Sequence, residues 1–218
     1  MGALFPMKSL FQALTAVAII VVTGCSNTSD ELDQISSVLR PGQQQPVARS
    51  VPLLSANAPQ LLVAFPKIES LGVMLLEGRR DGVETWLSAE GATLTLQRGM
   101  LRSSRGLGQG LLASEISQSV DMVFAGRAGT VHRFHTYLNG NNETETRTYV
   151  CQIEDRGIHT VVIGGMSMDT RLMAEDCQNL DQQFLNLYWV SRANNQIVQS
   201  RQWLGDLVGV VSTRVIPQ

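Results

Sequence analysis

Short apolar runs separated by turn-forming residues fill the chain from residue 59 onward, and they constrain its fold more than any other feature. Residues 71–76 and 83–88 are two such runs, and Asp81 and Gly82 lie between them. An Asp-Gly pair adopts the positive φ of a tight hairpin turn at little cost. Because no long helical pattern separates the runs, we predict a single domain over residues 59–218 built from antiparallel strands.

The second half of this domain repeats the pattern. Residues 130–138 and 143–153 flank a turn rich in Asn and Gly, and residues 184–191 and 196–204 form a second predicted hairpin. Alternation of apolar and polar residues indicates strands with one buried face. The sequence therefore predicts a mainly β fold, an antiparallel sandwich or partly open barrel of about ten strands.

Four segments between these strands carry weaker signals. Residues 113–120 favour a short helix, and residues 155–157 favour a turn. Residues 170–176 fit either a strand or one helical turn. The glycines of residues 106–110 lack the full spacing of a phosphate-binding loop and have no strand and helix around them, so we interpret this segment as a flexible turn.

The N-terminus has the three parts of a secretory signal. Lys8 is a basic flank, residues 10–22 are an apolar run too short to span a bilayer, and Thr23 and Gly24 are small residues before Cys25. The end of this segment resembles the lipobox of bacterial lipoproteins. The resemblance implies that residues 1–24 are removed and that Cys25 is acylated, with chains such as palmitate.

The residues after Cys25 are predicted to join the lipid to the domain. Ser26 in the following position favours sorting to the outer membrane by the same resemblance. Residues 28–40 have a capping box and apolar residues at helical spacing, and they are followed by a polar segment rich in Gln and Pro. Residues 25–58 are therefore predicted to hold the lipidated Cys, a short helix and a tether. Both Met1 and Met7 remain possible translation starts.

Two cysteines remain once Cys25 carries lipid. Cys151 and Cys177 form an even pair in an exported protein, where thiols are oxidised, so we predict a disulfide between them. Two buried free thiols are the alternative. No CxxC motif or cluster of histidines accompanies them, and we expect neither a metal nor a cofactor.

The side chains with catalytic chemistry form no convincing site. His132 and His135 are an odd number of residues apart on a predicted strand and should face opposite ways. Glu143 and Glu145 share a strand face beside a turn, where we expect them to be solvated. Ser167 lacks the Gly-x-Ser-x-Gly elbow of hydrolases. A net charge of −2 and the lack of a basic run argue against nucleic-acid binding.

Aromatic residues of the strands could either stack on sugars or fill the core. Trp189 alternates with Leu185 and Leu187, and Trp203 is on the partner strand with Ile197. Because packing alone requires such alternation, we interpret Trp189 and Trp203, with the adjacent Tyr188, as core residues rather than a sugar platform.

The C-terminal hairpin also carries a family resemblance. The matching segments are residues 186–190 and 196–205, with weaker support from residues 59–63, the turn at residues 97–99, Gly106 and Leu111. These segments resemble the YjbF/GfcB family of outer-membrane lipoproteins, which are encoded with exopolysaccharide and group 4 capsule genes. The cysteine pair is not part of the family pattern, and the family supplies no catalytic residues.

The resemblance implies a non-enzymatic lipoprotein that assists exopolysaccharide or capsule production or export. It would be held in the outer membrane by the acyl chains on Cys25, face the periplasm, and bind the polymer or an export-machinery protein. A carrier of lipid or glycolipid with an apolar pocket is one alternative. A polysaccharide-modifying enzyme, with two carboxylates in a groove, is the other.

Overall fold

The structure, a computed structural model, describes residues 47–141 and 143–217. These residues form one antiparallel sheet of twelve strands, in the order β5-β4-β3-β2-β1-β12-β11-β10-β9-β8-β7-β6. The strands are β1 Gln60–Phe65, β2 Ser70–Arg80, β3 Val83–Ser88, β4 Thr93–Gln97, β5 Met100–Arg105, β6 Leu111–Glu115, β7 Gly129–Leu138, β8 Thr144–Ile163, β9 Met166–Gln178, β10 Gln183–Ser191, β11 Ile197–Gly205 and β12 Gly209–Val215. The prediction of a mainly β antiparallel fold is confirmed.

The sheet curls into a nearly closed barrel because its two edge strands are consecutive in the chain. The glycine turn of residues 106–110 joins β5 to β6, and the Leu111 amide donates to Ser104 Oγ across this seam at 3.0 Å. The β5 edge also reaches β11, where Gln202 accepts from the Leu101 amide at 2.7 Å and donates to the Gly99 carbonyl at 2.9 Å. Closure covers sheet edges that would otherwise be free to pair with other chains.

The barrel interior holds two apolar clusters. One is formed mainly by β1 to β5, with further side chains from β6, β7, β11 and β12, and includes Val63, Phe65 and Leu94. The other lies under helix α2, Ser117–Ala125, and includes Val123 and Tyr149. Helix α2 packs on β7 and β8.

The chain enters the barrel through a short N-terminal segment. Helix α1, Val51–Ser55, lies beside β2, and the Val47 amide donates to the Ala89 carbonyl at 2.8 Å. Residues 47–58, part of the predicted tether, are therefore attached to the barrel. Cys25, Ser26 and the predicted helix of residues 28–40 lie outside the described residues.

Two local predictions need correction, and one that was left open is decided. Residues 113–120 are not one helix, because β6 continues to Glu115 and α2 begins at Ser117. Residues 155–157 are not a turn between strands but a bulge inside β8, where Gly157 has φ +83 and its amide donates to Asp155 Oδ1. The segment left open at residues 170–176 belongs to strand β9.

Cys151 and Cys177 lie directly opposite each other on β8 and β9 and are joined by a disulfide. Their Cα atoms are 3.9 Å apart, and both side chains are fully buried in the cluster beneath α2. The bridge ties the two longest strands of the sheet together.

Candidate functional site

An open cavity of about 650 Å³ lies at one end of the barrel, where the β2–β3, β4–β5 and β10–β11 turns meet. We call it the mouth cavity. Its rim is polar and includes Arg79, Glu84, Arg98, Asn194 and Gln196. Ligand sites in proteins have volumes of roughly 300–1,000 Å³, so the mouth cavity is large enough for a small ligand or a short stretch of polymer.

The β4–β5 turn builds one wall of the mouth cavity. Arg98 and Gly99 both have positive φ, +52 and +86, which the tight turn requires. A Cβ atom on Gly99 would lie 2.8 Å from Ile197 Cβ, so only glycine lets this turn approach β11. The turn then carries the Arg98 guanidinium to 3.5 Å above the Phe124 ring of α2. This cation–π contact leaves an exposed cation at the cavity rim.

The opposite wall is a polar edge on β2 and β3. Arg79 donates to Glu84 Oε1 at 2.6 and 2.9 Å, and the Trp86 indole N–H donates to Glu84 Oε2 at 3.2 Å. Trp86 itself is 5% exposed and belongs to the core cluster. The indole therefore forms part of the cavity floor while its N–H points to the polar rim.

A buried ionic network lies beneath α2, and sequence reasoning did not identify it. Glu175 Oε2 accepts from Arg133 at 2.5 Å, Tyr188 at 2.7 Å and Asn186 at 2.9 Å. Glu175 Oε1 accepts from Ser119 of α2 at 2.5 Å. Both charged side chains are at most 2% exposed.

Burial alone would raise the pKa of Glu175, but the Arg133 guanidinium and the hydrogen bonds from Ser119, Asn186 and Tyr188 outweigh it and hold the pKa below its usual range. The carboxylate thus stays ionised and fully bonded, which suits a structural role. The only signal in the sequence was a carboxylate within the otherwise apolar stretch of residues 172–175.

The opposite end of the barrel is filled by an aromatic cluster. His135, Tyr149 and Phe184 have ring centroids 4.9–5.8 Å apart, and Trp203 stacks on Phe184 at 5.5 Å with an angle of 9°. His135 Nδ1 lies 3.0 Å from the Tyr137 hydroxyl. Burial, and then the nearby cations Arg133 and Arg147, keep the pKa of His135 well below its usual value.

Charged and amide side chains cover this cluster. Arg147 donates to Asp206 at 2.7 Å and to Glu145 at 2.6 Å, and Gln182 bridges the Tyr149 hydroxyl and Asp206. Because the aromatic rings fill the space behind this cover, we interpret this end as closed packing rather than as a site.

The structure reverses the buried face predicted for strand β10. Tyr188 is fully buried, together with Phe184 and Val190, whereas Trp189 is half-buried on the outward face with Leu185 and Leu187. Apolar side chains occur at both the even and the odd positions of β10. The alternation of residues along the strand therefore could not show which set faces the core.

Trp203 is also half-buried, but it packs against the inner cluster through Phe184. It lies at the end of the barrel away from the mouth cavity. The two tryptophans of the C-terminal hairpin therefore lie in different environments.

The other candidates from the sequence do not converge. His132 is exposed and His135 buried, on opposite faces of β7. Glu143 accepts from Asn139 at 3.0 Å, and Glu145 accepts from Arg147. Within residues 47–141 and 143–217, none of these side chains lines the mouth cavity.

One group of possible metal donors exists among the described residues, formed by Cys151, Glu175 and Cys177. The two sulfur atoms are bonded to each other, and the carboxylate accepts four hydrogen bonds from protein groups. A metal would need free thiolates and a free carboxylate oxygen, so these residues do not fit one.

Among residues 47–141 and 143–217, no helix combines the length and hydropathy required to cross a membrane.

Comparison with known proteins agrees with the fold. The family model of the group 4 capsule polysaccharide lipoproteins gfcB and YjbF matches residues 32–216. The crystal structure of the hypothetical lipoprotein YmcC from Escherichia coli K12 has a TM-score of 0.66 and 21% identity, covering 79% of this chain and 90% of that chain. At this identity the likeness concerns the fold alone. No curated protein matches the sequence significantly.

Proposed function

We propose that this chain, which belongs to the YjbF family of group 4 capsule polysaccharide lipoproteins, binds the polysaccharide in its mouth cavity and assists its export without cutting it. It does so as a lipoprotein of the outer membrane, held by acyl chains on Cys25 and facing the periplasm. The observation that carries the proposal is the open mouth cavity with its polar rim.

The rim offers the groups that a glycan requires. Sugar hydroxyls donate and accept hydrogen bonds, and the side chains of Asn194 and Gln196 can do both. The exposed guanidiniums of Arg79 and Arg98 add donors and positive charge, which suits a polymer with carboxylate or other acidic groups. The apolar floor formed by Leu96 and Trp86 matches the less polar faces of a sugar ring.

The carboxylate content of the mouth cavity favours binding over hydrolysis. Glu84 is the one carboxylate among the described residues that line the cavity, and it is held by Arg79 and Trp86. Glycosidases generally place two carboxyl groups about 5–9.5 Å apart across the scissile bond. Because the single carboxylate already accepts hydrogen bonds from Arg79 and Trp86, the site is better suited to hold a polymer than to cleave it.

The interior of the barrel gives less support to the lipid-carrier alternative. A carrier needs an apolar cavity inside the barrel. The described side chains instead pack the inside with two apolar clusters, one formed mainly by β1 to β5 and the other beneath α2.

Binding of capsule or exopolysaccharide fragments to the full mature chain tests the proposal, with Cys25→Ser to make the protein soluble. Isothermal titration calorimetry should show that this protein binds the fragments. The additional substitution Arg79→Ala should weaken the affinity at least about tenfold, or 1.4 kcal/mol. Arg80→Ala is the matched control, because Arg80 is the adjacent residue but does not line the mouth cavity.

Two results would contradict the proposal. One is the absence of binding to any of the capsule or exopolysaccharide fragments. The other is an equal loss in Arg79→Ala and Arg80→Ala, which would indicate a non-specific charge effect. Shortening of the polymer during incubation, measured by size-exclusion chromatography, would instead favour an enzyme.

A further inference from the structure

The outward face of the barrel carries an apolar groove next to the point where the chain enters. Five leucine and valine side chains surround a cavity of about 480 Å³: Leu54, Leu62, Leu71, Val73 and Leu75. We call it the outer groove. Leu54, Leu71 and Val73 are 42–55% exposed, a concentration of open apolar surface that soluble proteins usually cover.

From this groove we infer a docking site for residues 28–40 of the same chain, the segment predicted to form an amphipathic helix. Leu32, Ile35 and Leu39 recur at helical spacing and form one apolar stripe. An isolated helix of about 12 residues is marginal in water, so such a stripe requires a surface to pack on. The outer groove provides such a surface, because it is lined by apolar side chains.

The connection of the chain favours this occupant. Val47 is held at Ala89, and both Ala89 and Ser50 belong to the wall of the outer groove. The residues from 41 to 46 can extend over roughly 20 Å. A helix over residues 28–40 is about 20 Å long, so it can lie along the groove without strain in the linker.

Two basic residues beside the outer groove are complementary in charge to the acidic end of the segment, although Glu90 lines the groove itself. Arg201 and Arg214 are exposed around a second outward cavity, of about 430 Å³, which shares Leu62 with the outer groove. The first turn of the predicted helix contains the acidic residues Asp30 and Glu31. An acidic helix end can therefore meet a basic surface beside the apolar groove.

The family match supports the same conclusion. It begins at residue 32 and so includes most of the predicted helix, although the described domain begins at Val47. A segment that belongs to the family pattern is better explained as part of the folded unit than as a free tether.

Docking would fix the barrel close to the membrane. Only residues 26 and 27 separate Cys25 from the predicted helix, a distance of about 10 Å when extended. A free tether from Cys25 to Val47 could instead extend over roughly 70 Å. Because Gln60 borders both the outer groove and the mouth cavity, docking would also set how that cavity faces the lipid surface.

Photo-crosslinking in the full mature chain tests this inference. A benzoylphenylalanine at Leu71 should crosslink within one chain to residues 28–40, identified by mass spectrometry. The same probe at Ile158, which is 63% exposed on β8, is the control and should not reach this segment. Ile35→Asp should abolish the crosslink, whereas Gln34→Asp, on the other face of the predicted helix, should leave it.

Hydrogen exchange is a second measurement of docking, and it does not require the benzoylphenylalanine probe. Amides of residues 30–39 should be protected, and Leu71→Asp should reduce their protection at least about tenfold while the strand amides stay protected. Crosslinks from Leu71 to a second copy, to lipid or to another protein would overturn the inference. Absence of a crosslink, or equal effects of Ile35→Asp and Gln34→Asp, would also overturn it.

Discussion

Removing the buried carboxylate of Glu175 is the sharpest perturbation of the fold. Glu175→Leu has a similar volume and removes the acceptor of four hydrogen bonds. The Arg133 guanidinium, 2% exposed, would then be buried without its counter-ion. Loss of one partner of a buried ion pair typically costs about 3–5 kcal/mol.

This cost is a large share of the total stability of a domain, which is roughly 5–15 kcal/mol. For a domain of this size each kcal/mol lowers the melting temperature by about 2–4 °C, so Glu175→Leu should lower it by about 6–20 °C. The double variant Arg133→Met with Glu175→Leu replaces the pair by apolar side chains and should recover at least about 1 kcal/mol.

Urea denaturation followed by circular dichroism measures both variants against the wild type. Arg79→Met, which breaks the ion pair with Glu84 by removing its exposed member (61% exposed), is the control and should cost no more than about 1 kcal/mol. The reasoning would be refuted by a cost below about 1 kcal/mol for Glu175→Leu, or by a double variant no more stable than the single one.

Three further predictions concern the lipid, the aromatic cluster and pH. Cys25→Ala should release the protein from the outer membrane, and fractionation like the wild type would contradict the lipid anchor. Trp203→Ala removes the stack on Phe184 and should cost about 2–4 kcal/mol in urea denaturation, more than Trp189→Ala on the outward face; an equal cost would contradict their different environments. Burial lowers the folded-state pKa of His135, so only the unfolded chain gains a proton at this position near pH 6.5, and stability should fall below that pH by up to about 1.4 kcal/mol per unit. His135→Phe should remove this slope in denaturation measured from pH 7 to 5, and an unchanged slope would contradict it.

Much of the fold could be predicted from local signals. The turns at Asp81 and Gly82 and at residues 139–141 lie between paired strands, because their backbone conformations are set by a few neighbouring residues. The cysteine pair was also recognisable, since only two cysteines lie beyond Cys25. These features depend on short sequence windows.

The remaining features depend on contacts between distant residues. Arg133 and Glu175 are 42 positions apart, and nothing in either strand indicates that they meet. The bulge at Gly157 lets β8 continue past a sequence that otherwise signals a turn. The mouth cavity likewise forms where three turns far apart in sequence converge, so its rim could not be identified from spacing.

The three tryptophans offer the most direct test of polysaccharide binding in the mouth cavity. Trp86 lies at that cavity, Trp189 on the outward face and Trp203 in the aromatic cluster at the other end. Each indole N–H gives one signal in a ¹⁵N-correlation spectrum of the mature protein. Addition of capsule oligosaccharide should shift the Trp86 signal and leave the other two in place. A shift of Trp189 or Trp203 with Trp86 unchanged would contradict the account and move the binding site away from the mouth cavity, to the strand surface around the shifted tryptophan.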